Sequence, residues 1–197
     1  MADSLYLSLW FADFTEDEML PAALRVLQQF PYSKALPGIT AIALHPVSWN
    51  EPTILERRFS PGVSPEAAAA VAADLLHEDY AYVFEVNWDL WTPQNLDGEW
   101  ALAPTRVRVI LRGPEFEDGE AEAQGEVQAD FGLDTPFLHE ELQLTPELES
   151  RVQKNVQTLI EFINRVEKNA GAGTRLLWSE SDENLAQKLI SRLQKVQ

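Results

Sequence analysis

The sequence predicts an α+β fold: an antiparallel or mixed sheet of about five or six strands, two helices on one face, and a C-terminal helical pair. Three patterns predict it. Period-two alternation recurs through the first two thirds of the chain. Capped helix starts, Thr15-Glu-Asp-Glu18 and Ser64-Pro65-Glu66, fall between the alternating stretches. From Thr145 onward the apolar residues switch to helical spacing.

The clearest strand is Tyr80–Trp91. Tyr82, Phe84, Val86, Trp88 and Leu90 share one parity, while Glu85, Asn87, Asp89 and Trp91 share the other. Successive strand side chains point to opposite faces, so one face is apolar and the other largely polar. Thr105–Arg112 repeats the pattern, with Val107, Val109 and Leu111 against Arg106, Arg108 and Ile110. Pro93, Asn95, Asp97, Gly98 and Pro104 punctuate the connection between them. Antiparallel pairing of the two would bring Glu85 and Asp89 near Arg106 and Arg108.

Taken in order, Ser4–Phe11 alternates Leu5, Leu7, Leu9 and Phe11 with Tyr6, Ser8 and Trp10, which is a strand. The Thr15 capping box leads into Leu20, Ala23, Leu24, Leu27 and Phe30 at helical spacing. Pro21 disturbs the first turn, so regular helix is expected from about Leu20. Ile39–His45 is apolar on both faces, as a central strand is; Thr53–Phe59, with Glu56, Arg57 and Arg58, is a more exposed one. Ser64-Pro65-Glu66 opens an alanine-rich helix. This βαββαβ order is that of a ferredoxin-like sheet with both helices on one face. Thr105–Arg112 would add a strand, and Gly125–Leu133 another. Thr145-Pro146-Glu147 starts a long helix carrying Leu148, Val152, Val156, Leu159, Ile163 and Val166; Gly171 and Gly173 follow its end. Leu176, Leu177 and Trp178 make a short apolar patch before a last helix with Leu185, Leu189, Leu193 and Val196. One domain is expected, with residues 1–134 as core and 145–197 as helices on it.

Composition removes several functions. The 197 residues contain no cysteine, which excludes disulfides, thiolate chemistry and cysteine-bound zinc. The amino terminus lacks a basic stretch, and no apolar run is long enough to span a bilayer, so a soluble cytoplasmic protein is expected. A net charge of −17 repels nucleic acid and anionic membranes, so neither is expected as a partner; a small-molecule or protein partner is compatible with the sequence, and so is a homodimer. No lysine or arginine lies between Arg112 and Arg151, while twelve acids lie between Glu115 and Glu149. That segment is either a solvated surface or an acidic dock for a basic partner, or a mimic of nucleic acid.

Nucleotide-binding, nucleophile-elbow and metalloprotease motifs are absent. His45, His77 and His139 lack metal-ligand spacing, and no cofactor is expected. Glu85 and Asp89 stand about 13 Å apart along a strand, beyond the roughly 5–9.5 Å of a glycosidase pair. The features worth following are collective. Tyr6, Trp10, Glu85, Asn87, Asp89, Trp91, Arg106 and Arg108 should share the face opposite the core, with the composition of a ligand-binding or protein-binding surface. The first expectation is therefore a binding or interaction module. An enzyme using Glu85 or Asp89 as acid or base, with Arg106 or Arg108 holding an anion, is the alternative. Both require that the C-terminal helices leave this face open.

Overall fold

A computed structural model of the chain describes residues 3–94, 99–138, 145–180 and 185–194. Its centre is one sheet of seven strands: β1 (Ser4–Trp10), β2 (Ile39–Pro46), β3 (Leu55–Val63), β4 (Tyr80–Pro93), β5 (Trp100–Arg112), β6 (Val127–Leu133) and β7 (Thr174–Ser179). They lie in the order β3-β2-β4-β5-β6-β1-β7, and every pairing is antiparallel. The α+β class holds, but the sheet exceeds five or six strands and its order is not ferredoxin-like. That wiring needs β1 among β2 to β4. Here β1 joins β6 and β7 at the other end. Alternation tells which face a strand buries; it does not tell which strand it pairs with.

The β4–β5 ribbon, paired from Ala81–Arg112 to Pro93–Trp100, is the spine. It includes Trp100–Pro104, where the turn-forming residues predict a connection and the strand is instead continuous. Asn95, Asp97 and Gly98 lie outside the described residues, as does His139.

Helices α1 (Glu16–Leu27), α2 (Pro65–Ala73), α4 (Pro146–Asn169) and α5 (Leu185–Gln194) bury their apolar stripes in one continuous core on one face of the sheet. Leu5, Leu7, Leu9, Phe84, Trp88, Val107 and Val109 meet Met19, Val26, Val156, Leu159 and Phe162 there. Phe162 stands edge-on to Phe30 at 5.3 Å and to Phe131 at 6.2 Å; Trp88 stacks on Phe131 at 5.1 Å. Each large side chain buried in this way contributes about 2 kcal/mol of apolar transfer energy.

The Ser64 and Thr145 hydroxyls cap their helices, accepting from the Ala67 and Leu148 amides. Thr15 does not: its carbonyl accepts from the Glu18 amide instead, and α1 starts at Glu16 with Pro21 inside it. The C-terminal helices are separated by β7, built on the Leu176–Trp178 patch. Among the described residues no helix is long and apolar enough to cross a membrane.

Among the described residues, the helical elements against the opposite face are a 3-10 turn (Phe116–Asp118) and the short helix α3 (Glu120–Gln124). The Ser8 hydroxyl donates to the Gln124 carbonyl at 2.6 Å, and the Trp10 indole N–H donates to the Glu122 carbonyl at 2.9 Å. Gly125, at φ +101, turns the chain from α3 into β6; an added Cβ would sit 3.0 Å from the Leu9 nitrogen and the Ser8 Cβ.

Candidate functional site

Strand register assembles a row across the face opposite the helical core. Ala41 of β2 lies opposite Glu85, Glu85 opposite Arg108, Arg108 opposite Asp130, Asp130 opposite Tyr6, and Tyr6 opposite Trp178. Five neighbouring strands therefore present Glu, Arg, Asp, Tyr and Trp in line, over about 19 Å at ~4.8 Å per strand. The parallel row behind it is Val83, Ile110, Gln128, Ser8 and Leu176.

The charges are partnered within the sheet. The Arg108 guanidinium meets Asp130 at 2.5 Å, with Asp130 nearly buried beneath it. The Arg106 guanidinium reaches Glu85 at 3.4 Å. At the far end Tyr6 and Trp178 stack with centroids 4.7 Å apart, and the Trp178 indole N–H donates to the Ser8 hydroxyl at 3.0 Å. A cavity of about 550 Å³ opens over this surface, reaching from Tyr6 and Trp178 to His45 and Trp49. A second, of about 600 Å³, continues it past Arg106 to Leu133 and Pro136; Arg108 and Asp130 line both.

The turn and α3 wall one side. Buried Arg112 donates to Glu120 at 2.8 Å, to the Gln128 amide oxygen at 3.0 Å and to the Gly125 carbonyl at 3.3 Å. Glu120 also accepts from the Trp49 indole N–H at 2.8 Å, and Glu117 accepts from the Trp49 amide at 2.7 Å. The Glu117 amide in turn donates to the Val47 carbonyl at 2.9 Å. Val47, Glu117 and Asp118 all have left-handed φ, at 60°, 48° and 54°. A β-branched residue there is strained, and such strain gathers where structure is held for use. His45, edge-on to Trp49 at 4.9 Å, has its pKa pushed down by burial, against a smaller opposing pull from Glu56.

Of the expected residues, Tyr6, Glu85, Arg106 and Arg108 share this trough. Trp10 is on the same side but held under α3. Asn87 is buried, its amide donating to the Thr40 hydroxyl at 3.3 Å. Asp89 accepts from the Lys34 amide at 3.2 Å rather than pairing with an arginine. Trp91 is outside the trough altogether. It lies against α4, with Arg151 4.7 Å and Lys154 6.0 Å from its ring centroid. There β4 runs past the end of β2, and the Asn155 side chain bonds the Trp91 amide at 2.9 Å and its carbonyl at 2.7 Å.

The residues that sequence reasoning missed are Asp130, Gln128, Trp49, Glu120 and Trp178. Asp130 and Gln128 had a signal, because they alternate with Val127, Ala129 and Phe131. Trp49 comes from a turn and Glu120 from the short helix α3, and the placement of neither carries a periodic signal.

Chemically, the trough offers stacking surface, paired charges and hydrogen-bonding groups. Glu85 is engaged by Arg106 and Asp89 by a backbone amide, so neither has the poorly paired setting expected of a catalytic acid or base. No group of three or more His, Asp or Glu side chains is placed to hold a metal ion among the described residues. The chain matches no known protein-family model, no curated protein and no solved structure.

Proposed function

We propose that this protein is a binding module and that its partner lies in the trough on the mixed face of the sheet. One observation carries the reading. The helices α1, α2, α4 and α5 bury their apolar stripes on the other face, so among the described residues the Glu85–Arg108–Asp130–Tyr6–Trp178 row is left without a covering helix. A sheet face that only kept the molecule soluble would not need two half-buried stacked aromatics beside a nearly buried carboxylate. Concave surfaces with aromatic walls and a few convergent polar groups are where ligands and partner segments bind.

The test is a ¹H–¹⁵N spectrum titrated with a fragment library. Binding in the trough moves the Trp178 and Trp49 indole signals together and leaves the amides of α1 and α4 in place. Tyr6→Ala, which removes half of the aromatic stack, should weaken such hits roughly fivefold, in line with about 1 kcal/mol for a lost stacking partner. Hits confined to the helical face, or hits indifferent to Tyr6→Ala, would sink the reading.

A further inference from the structure

Resting on that reading, we infer that the trough receives an extended, positively charged segment of another protein, with its cations against the wall formed by the 3-10 turn and α3. The wall is the most acidic stretch of the described chain: Glu115, Glu117, Asp118, Glu120 and Glu122 occur within eight residues and no lysine or arginine lies among them. Glu120 is neutralised by Arg112. Glu115, Asp118 and Glu122 are exposed on the turn and α3, while Glu120 is the acid of the wall that lines the cavity itself. The trough's own cations do not offset them, because Arg106, Arg108 and Arg112 are each engaged by a carboxylate of their own. Glu180, beyond the end of β7, adds an acid at the opposite rim.

The aromatic groups point to the same ligand independently of charge. Tyr6, Trp178 and Trp49 line the trough, and Trp49 already carries the Arg112 guanidinium 5.8 Å from its ring centroid. Aromatic faces attract lysine and arginine heads, and their edges accept the aliphatic stems. Length fits as well. A row of about 19 Å accommodates roughly six residues of extended chain at ~3.3 Å each. A free phosphate, a nucleotide or an anionic membrane would meet the acids first and be repelled. A second copy of this chain, itself at −17, is disfavoured for the same reason.

The probe is an eight-residue peptide alternating arginine and glycine, with its glutamate–glycine counterpart as control, titrated into the full chain and followed by ¹H–¹⁵N spectra. The expected result is movement of the Trp178 and Trp49 indole signals and of the 115–122 amides by the arginine peptide alone. Its affinity should fall about tenfold between 50 and 200 mM salt. The triple variant Glu115→Gln/Asp118→Asn/Glu122→Gln removes exposed charges only, so the fold is kept, and it should weaken binding roughly tenfold. Shifts scattered over the whole acidic surface, or affinity unchanged in the triple variant, would overturn the inference. Absence of arginine-peptide binding while fragments still move the Trp178 and Trp49 indoles would overturn it and leave the trough as a site of other chemistry. Absence of any ligand there would overturn both readings.

Discussion

Glu126 shows how one side chain is read in two environments. Its carboxylate accepts from the Phe11 amide at 2.6 Å, yet burial raises its pKa above the ordinary carboxylate range, the hydrogen bond opposing only in part. A folded-state pKa above the unfolded one means that the unfolded chain gives up this proton first. Stability from this group is complete below about pH 4 and is lost as pH rises through the folded value. Glu126→Gln keeps an acceptor for Phe11 and removes the titration. Thermal unfolding should show the variant gaining on the parent as pH rises from 4 to 7, with no difference below 4; a constant offset across that range would contradict it. Val47 is the second case. It is half exposed, so little packing depends on its side chain, while its left-handed backbone costs about 1–3 kcal/mol. Asparagine tolerates that conformation, so Val47→Asn should stabilise by about 1 kcal/mol in urea unfolding. Destabilisation would mean that the valine methyls contribute more than the strain costs. Tyr82 illustrates burial acting on a phenol: its hydroxyl donates to the Leu75 carbonyl at 2.8 Å, and desolvation pushes its pKa up to about 12.

Among the elements, the far end of β4 depends most on a single side chain. Beyond β2 it has no strand partner on that edge among the described residues, and the Asn155 amide takes that place by bonding both the amide and carbonyl of Trp91 and also the Pro136 carbonyl. Asn155→Leu strands buried backbone groups and should cost about 3 kcal/mol, from three bonds at roughly 1 kcal/mol each. Hydrogen exchange would locate the loss, with the Trp91 amide losing protection before the Ala81–Val86 stretch paired to β2. Uniform loss of protection would argue that Asn155 supports the whole sheet. Strand faces and helix stripes were readable from periodicity because each needs only local geometry. The Thr15 capping box failed because a competing backbone turn satisfies Glu18 without the hydroxyl. β7 was missed for a similar reason. Six residues with Leu176 and Leu177 adjacent carry no alternation strong enough to separate strand from apolar patch.

At the level of the whole molecule, −17 charges on 197 residues repel one another in the compact state more than in the unfolded chain. Added salt screens that repulsion. The melting temperature should therefore rise between 10 and 300 mM sodium chloride, and a fall would mean that ion pairs such as Arg112–Glu120 outweigh the repulsion. The candidate site is also a property of the whole. Of the expected face, Tyr6, Glu85, Arg106 and Arg108 lie together, and their common side was legible because strand parity puts each on the polar side. Trp91 obeys the same parity and still left the site, because β4 outruns β2 there and α4 takes up the ring.

The fold class, the buried face of each long strand and helix, the excess of acid and the lack of thiol chemistry were all present in the linear sequence. They depend on composition and on spacings of two or 3.6 residues. Tertiary structure decided the strand order, the side on which α4 lies, and which polar residues meet. Those outcomes turn on contacts between residues far apart in the chain, such as Arg108 with Asp130 and Tyr6 with Trp178. Among the described residues the trough has no helix over it because α4 joined α1 and α2 on the core face, where Phe162 could meet Phe30 and Phe131, a choice that its own amphipathic stripe allowed but did not specify.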